Sequence, residues 1–339
     1  MKFLALLLAL AFLPLSAAAQ TPAPDLIKLA VYPSIYNEIP LFLAIDEGLF
    51  AQQNLNVQVV THQGSSQVII PELVRGAIDI APLSASPSFF NQVAQGFDSK
   101  IIASANSGHK GWNPSVWIMV RQSVWDAKGI RVPRDLRGKH FDSATAGSEG
   151  WYLARQLLTD AALTPADLTF SSRFTTPPDW LASLRNVNDA QIVYEPTVTQ
   201  LESEHVGHRW LSIADVDPGY QESYLAASSS ILKSHPDAVR RFLIAYIKAG
   251  KMISDAHGKW TPELIRVTAK WTGLSPEVVA AIPTPPYTGD AGWINVASLE
   301  KVQRFWHTMD LVKTEVPVSS VIDTNLIAAA QKAAGVRSR

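Results

Sequence analysis

Apolar and polar positions alternate along the chain in a pattern that predicts strands and helices in turn. Residues 26–31 read as a strand, with Ile27, Leu29 and Val31 facing one way. Further strands are predicted at 57–61, 77–81 and 100–105. Helices are predicted between them, at 40–47, after 66 and at 87–95. Strands that alternate with helices across short loops favour a mostly parallel, doubly wound sheet.

A second run of the same kind starts at residue 138. A short strand at 139–142 leads through small residues to a helix, for which Ser148 is the predicted N-cap. The free N–H groups at such a helix start predict a site for an anion or a polar group. More strands are predicted at 168–174, 190–193 and 210–213, with helices at 178–184 and after 196. From residue 234 the pattern becomes helical, and Ser234 is the predicted cap of the next helix.

Two extended segments, 116–120 and 224–229, bracket the second run. Strands that cross side by side between two lobes would form a hinge, with the ligand in the cleft. The pattern therefore predicts a two-lobed α/β fold, with doubly wound mixed sheets joined by a two-segment hinge. The first lobe would comprise 26–117 and 227–339, and the second would comprise 118–226.

The first 19 residues have the pattern of a secretory signal peptide. Lys2 precedes an apolar run at 3–13 that is too short to span a bilayer, and small residues predict cleavage after Ala19. The net charge is −1 with no basic block, so nothing in the charge pattern indicates nucleic acid as a partner. The absence of cysteine excludes disulfides and thiol chemistry. We expect an exported protein that is free in the periplasm.

No catalytic motif is present, so we expect no enzyme activity, no cofactor and no metal. The densest histidine-containing group, at 202–208, lacks the spacing of a metal site and is interpreted as a solvated helix end. Candidate ligand-binding residues are instead the small, acidic and aromatic residues of the loops after the strands. They are Tyr32, Ser34, Tyr36, Gly64, Ser65, Ser84, Ala85, Trp112, Gly147, Ser148, Glu149, Tyr194, Glu195 and Tyr220.

Three glutamates in these loops leave two interpretations open. Glu38, Glu149 and Glu195 could accept hydrogen bonds from an amine or an aminopyrimidine, or they could only cap helices. The aromatic residues predict a small organic ligand with a flat or apolar body. The helix start at Ser148 predicts an anionic or polar end on that ligand.

Several stretches resemble the solute-binding components of ABC importers for sulfonates, taurine and nitrate, a family that includes binders of thiamine-pyrimidine precursors. The matching stretches are 40–50, 76–80, 135–139, 194–196 and 234–237. The resemblance implies a two-lobed, hinged periplasmic binding fold (type II, Venus-flytrap) without catalysis, which delivers a sulfonate-like or aromatic or heterocyclic solute to a permease with its ATPase. We also expect the protein to be a monomer. The resemblance also implies pocket positions at Tyr36, Ser65, Ser84, Gly147, Ser148 and Glu195. A related secreted enzyme that makes a thiamine pyrimidine is the alternative, but that branch depends on cysteines.

Overall fold

The computed structural model describes residues 23–33, 36–62, 66–173, 176–289 and 291–336. Its strands are β1 (Asp25–Val31), β2 (Leu55–Thr61), β3 (Ile80–Leu83), β4 (Lys100–Ser107), β5 (Val116–Arg121), β6 (His140–Asp142), β7 (Thr169–Ser171), β8 (Ala190–Tyr194), β9 (Gly207–Ser212) and β10 (Gln221–Ala227). The predicted signal peptide lies outside the described residues.

Fourteen α-helices flank these strands in the described part of the chain. They are α1 (Ile39–Asp46), α2 (Ser66–Val74), α3 (Pro87–Ala94), α4 (Gln122–Asp126), α5 (Glu149–Asp160), α6 (Pro177–Asn186), α7 (Thr197–Ser203), α8 (Ile213–Val216), α9 (Ser229–Ser234), α10 (Pro236–Asp255), α11 (Pro262–Thr272), α12 (Pro276–Ala281), α13 (Val296–Thr308) and α14 (Thr324–Ala333). Within these residues no helix is both long enough and apolar enough to cross a membrane.

The strands form two five-stranded mixed sheets, which confirms the predicted α/β fold with two sheets. The first sheet has the order β2-β1-β3-β10-β4, and the second has the order β7-β6-β8-β5-β9. Each sheet contains one strand that runs antiparallel to both of its neighbours, β10 in the first and β5 in the second. The remaining described pairings, β1 with β2 and β3 and β6 with β7 and β8, are parallel. Parallel strands of this kind are covered by helices on both faces.

The expected hinge strands do not lie side by side. Segment 116–120 is β5 and pairs with β8 and β9, whereas most of segment 224–229 is β10 and pairs with β3 and β4. They are the first strands after each crossing, and their apolar character reflects burial inside two different sheets. The crossings themselves are the residues between the sheets, 108–115 and 213–220.

The two crossings contact each other directly. The Gly108 N–H donates to the Tyr220 carbonyl over 2.9 Å. A Cβ on Gly108 would lie 2.9 Å from Ile213 Cγ2 and 3.2 Å from the Ala214 nitrogen, so only glycine allows this approach. From the strand pairing we propose that the first lobe comprises 25–107 and 221–336 and the second comprises 116–212. These limits differ by several residues from those expected from the sequence.

Most predicted elements are present, with two informative differences. The strand expected at 77–81 lies at Ile80–Leu83, because 77–79 first close a turn in which the Ala77 N–H bonds the Glu72 carbonyl. The helix that begins at Pro236 has no side-chain cap, so the predicted Ser234 cap is wrong. Ser234 ends the preceding helix, and its hydroxyl donates to the Ser230 carbonyl over 2.9 Å.

Candidate functional site

Several of the predicted site residues lie at or after the carboxyl ends of parallel strands. Tyr32 follows β1, Ser84 follows β3, Ser148 begins the helix after β6, and Tyr194 ends β8. Ligands of open α/β sheets bind at this edge. Ser34, Gly64, Ser65 and the side chain of Tyr36 lie outside the described residues.

The start of α5 is built as the sequence predicts. The Ser148 hydroxyl accepts the Trp151 N–H over 3.2 Å, and Gly147 has the positive φ of 83° that the tight turn before the helix requires. Gly150 brings the helix against β8. A Cβ there would lie 2.6 Å from Ile192 Cγ2 and 2.8 Å from the Tyr194 hydroxyl.

Most of the N–H groups at this helix start already donate hydrogen bonds to other groups of the protein. The Ser148 N–H bonds the Thr145 carbonyl over 3.0 Å, the Gly150 N–H bonds the Tyr194 hydroxyl over 3.1 Å, and the Trp151 N–H is capped. Three of the four N–H groups from residue 148 to residue 151 are therefore occupied. An anionic end on the ligand stays a prediction, and the geometry of α5 does not favour it.

Glu222 of β10 is the centre of a buried polar cluster between the sheets. Its side chain is fully buried. Its Oε2 accepts hydrogen bonds from Asn37 Nδ2 at 3.3 Å, from Asn106 Nδ2 at 3.1 Å and from the Ser115 hydroxyl at 2.5 Å. The Ser115 N–H also points to this oxygen, at 3.3 Å. One carboxylate oxygen is therefore saturated, while Oε1 is buried and has no partner.

Two further acceptors near Glu222 are also without a partner. Asn37 is 8% exposed, and its amide nitrogen donates to Glu222 and to the Ser115 hydroxyl, which leaves its buried Oδ1 unpaired. The opposite amide orientation would place Oδ1 against Glu222 Oε2, so an ionised Glu222 favours the orientation described. Glu149 Oε1, at the first position of α5, is likewise buried and unpaired.

Backbone contacts bring Glu149 to the same place. Its neighbour Gly150 bonds Tyr194, and Tyr194 is the register partner of Val116. Val116 follows Ser115, whose hydroxyl donates a hydrogen bond to Glu222. Residues from the first sheet, the second sheet and a crossing therefore meet at one point.

Electrostatics at this point disfavour negative charge. Burial, and then the carboxylate of Glu222, raise the pKa of Glu149 well above its ordinary value, and the Ser115 hydroxyl partly offsets this. Burial also raises the pKa of Glu222, against the hydrogen bonds from Ser115, Asn106 and Asn37. The pKa values of Tyr194 and Tyr220 are raised by burial and by Glu149. The two carboxyl groups are coupled, as two acids that share one site are.

Glu195, also a predicted ligand residue, is fully engaged in structural contacts. Its buried carboxylate accepts from Asn113 Nδ2 and Arg209 Nη1, both at 2.7 Å, and from the Thr199 N–H at 3.2 Å and hydroxyl at 2.9 Å. Thr199 lies in the first turn of α7, so Glu195 satisfies that helix start. We propose a positioning role for Glu195, which joins α7, β9 and the first crossing.

An aromatic cluster joins the two lobes beside this polar cluster. Tyr152 of α5 stacks on Tyr220 at 5.1 Å between ring centroids, and Trp151 stacks on Trp306 of α13 at 5.9 Å. The Trp306 indole N–H donates to the carbonyl of Ala85 over 2.8 Å. Tyr220 and Ala85 are buried in these contacts, and their predicted role in binding a ligand stays a prediction.

The remaining candidates lie around this centre. The Tyr32 N–H donates to buried Glu38 over 2.8 Å, and burial raises the pKa of Glu38. Trp112, in the first crossing, packs edge-on against Tyr287 at 5.2 Å. In the 202–208 group, Glu202 pairs with Arg209, and no group of three possible metal ligands occurs among the described residues.

Sequence reasoning missed Asn37, Ser115 and Glu222 as candidates. The available signal was a glutamate inside a strand whose other residues are mostly buried, 221–227. A charged residue in such a strand requires a specific partner or function.

Comparisons with known proteins agree with this fold. The family model described as NMT1/THI5 like matches residues 36–256. A Bacillus subtilis strain 168 protein whose name describes it as a binding protein, YtlA, is 23% identical over 259 residues, which is 74% of this chain and 73% of that protein.

Solved structures show the same architecture. The periplasmic aliphatic sulphonate binding protein SsuA of Escherichia coli aligns with a TM-score of 0.71 at 18% identity, over 90% of this chain and 99% of that one. The periplasmic nitrate-binding protein NrtA of Synechocystis PCC 6803 aligns with a TM-score of 0.75 at 17% identity, over 92% and 89% of the two chains. The desulfurization enzyme DszB aligns with a TM-score of 0.64 at 14% identity, over 91% and 99%.

These structural likenesses establish the fold, and the family match covers well over half of the chain. The chain belongs to the NMT1/THI5-like family.

Proposed function

We propose that the chain is the extracytoplasmic solute-binding component of an ABC importer. It acts as a monomer in the periplasm, holds a small organic solute between its lobes and delivers it to a membrane permease driven by an ATPase. The observation that supports this most is the cluster of buried, unpaired oxygens of Asn37, Glu149 and Glu222 at the junction of the two sheets. Buried polar groups normally have a hydrogen-bond partner, so three unpaired acceptors at one place favour a ligand site there.

We propose no catalysis at this site, although the fold is shared with DszB. The hydroxyl of Ser115 contacts the carboxylate of Glu222 at this site. It donates to Glu222 and accepts from Asn37, so its bonds hold the cluster together. A nucleophile would need a base that can take its proton and a free approach for the substrate.

The test is binding without turnover, with closure of the lobes. The purified protein is titrated by calorimetry with a set of organic cations, neutral amides, sulfonates and nitrate, and the mixtures are then analysed by mass spectrometry. We expect one equivalent bound per monomer, unchanged solute and a smaller radius of gyration in small-angle scattering. Conversion of any solute, or an unchanged radius at saturation, would contradict the proposal.

A further inference from the structure

We propose that the bound solute carries a cationic nitrogen group with several N–H donors, such as an ammonium, amidinium or guanidinium group, held by Asn37, Glu149 and Glu222. This inference rests on the proposed function and names the class of solute.

The argument begins with the kind of groups left unpaired. Asn37 Oδ1, Glu149 Oε1 and Glu222 Oε1 are all acceptors. The donors of Asn37 Nδ2, Asn106 Nδ2 and Ser115 point at Glu222 Oε2 and not at these three oxygens. A ligand that donates hydrogen bonds would complete this network. Sulfonate, nitrate and carboxylate groups offer acceptors alone.

The second step concerns charge. In the described part of the chain no lysine, arginine or histidine forms an ion pair with Glu149 or Glu222. The titratable groups that face them are each other, Tyr194 and Tyr220, all of them acids. A buried carboxylate without a countercharge is costly unless it is protonated or paired. A cationic ligand supplies that countercharge.

The third step concerns the shape of the cation. The three acceptors come from three separate elements: the turn before α1, the start of α5, and β10. A group with N–H bonds in several directions can reach separate acceptors, as planar guanidinium does with its fixed fork of donors. The tyrosines beside the carboxylates also suit a cation, because aromatic faces attract positive charge.

The experiment compares solutes that share a body and differ in charge. One set is benzamidine, benzamide and benzenesulfonate, and a second is methylguanidinium, acetamide and methanesulfonate. Thermal shift and calorimetry are run on the wild type, on the double variant Glu149→Gln with Glu222→Gln, and on Glu315→Gln as a control. Glu315 is exposed, so the control makes the same chemical change away from the cleft.

We expect the cationic members alone to bind. The double variant, checked for folding by circular dichroism, should weaken that binding by about 30-fold or more, whereas Glu315→Gln should bind as the wild type does. Equal or tighter binding of a neutral or anionic member would overturn the inference and leave the proposed function standing. Cation binding that the double variant leaves unchanged would overturn the assignment to these carboxylates. Failure of every member to bind would overturn the inference, whereas the proposed function is decided by its own titration and scattering experiment.

Discussion

Glu149 and Glu222 come from different lobes and face the hydroxyl of the same residue, Ser115. Each lobe therefore contributes one acid to the junction. Closing the lobes without a ligand brings two like charges together in a buried place, which costs free energy unless a proton is taken up. The proposed cationic solute would remove that cost, and closure would then be coupled to binding.

We predict that the ligand-free protein loses stability as pH rises above the ordinary glutamate value of 4.5, through Glu149 and Glu222. Their pKa values are raised on folding, so above that pH the native state binds more protons than the unfolded state. The free energy of unfolding then falls with rising pH, by up to about 1.4 kcal/mol per pH unit for each group.

The measurement is urea denaturation of the wild type and of Glu149→Gln at a series of pH values. Glu38 also has a raised pKa, so the difference between the two proteins isolates the effect of the cleft pair. The variant should gain stability relative to the wild type as pH rises. A difference that is constant with pH would contradict the prediction.

We predict that Gly150→Ala destabilises the protein by about 1–3 kcal/mol, because the added Cβ would overlap Ile192 and the Tyr194 hydroxyl. Gly250→Ala is the matched control. Gly250 lies inside α10, and the nearest atom to an added Cβ, in Thr288, is 3.7 Å away. The control should be neutral or stabilising by up to about 1 kcal/mol, since alanine favours helix. Thermal melts of both variants check this, and equal effects would argue against the close approach of α5 and β8.

Arg209→Met should cost about 3–5 kcal/mol of unfolding free energy. Arg209 is the cation that pairs with the fully buried carboxylate of Glu195, so its loss leaves a buried charge without a partner. Lys251→Met removes an exposed i,i+4 pair with Asp255 and should cost less than about 1 kcal/mol. Chemical denaturation of both variants tests the contrast. A cost for Arg209→Met no larger than for Lys251→Met would show that Glu195 does not need this cation.

Trp151→Ala should shift the lobes toward an open arrangement. Trp151 lies on α5 and stacks on Trp306 of α13, so this contact holds the two lobes together. Trp125 stacks on His208 within the second lobe at 3.9 Å, and Trp125→Ala is therefore the control. Small-angle scattering of the ligand-free proteins should show a larger radius of gyration for Trp151→Ala alone. No increase for this variant would assign the closed arrangement to other contacts.

The sequence predicted the local structure of the site better than its chemistry. Ser148, Gly147 and the apolar face of α5 are local signals, because capping and periodicity act within one or two turns. The unpaired oxygens depend on residues as far apart as Asn37 and Glu222, which are brought together only by the two crossings. No local sequence pattern predicts that these two residues lie close together.

The prediction of the hinge strands was wrong for the same reason, because local patterns do not determine long-range pairing. Segments 116–120 and 224–229 are apolar and extended, and periodicity alone cannot say which sheet a strand joins. The close contact of Gly108 with the second crossing marks the true hinge. In the sequence, the only sign of this contact is the glycine itself.

The position of β10 has a consequence for how the molecule is assembled. Strand β4 joins the rest of its sheet only through β10, which lies between β3 and β4. The second sheet is contiguous in the chain, from Val116 to Ser212, and needs nothing that follows it. A chain made from its N-terminus onward therefore can complete the second sheet first. The first sheet lacks its strand β10 until residue 227 has been synthesised.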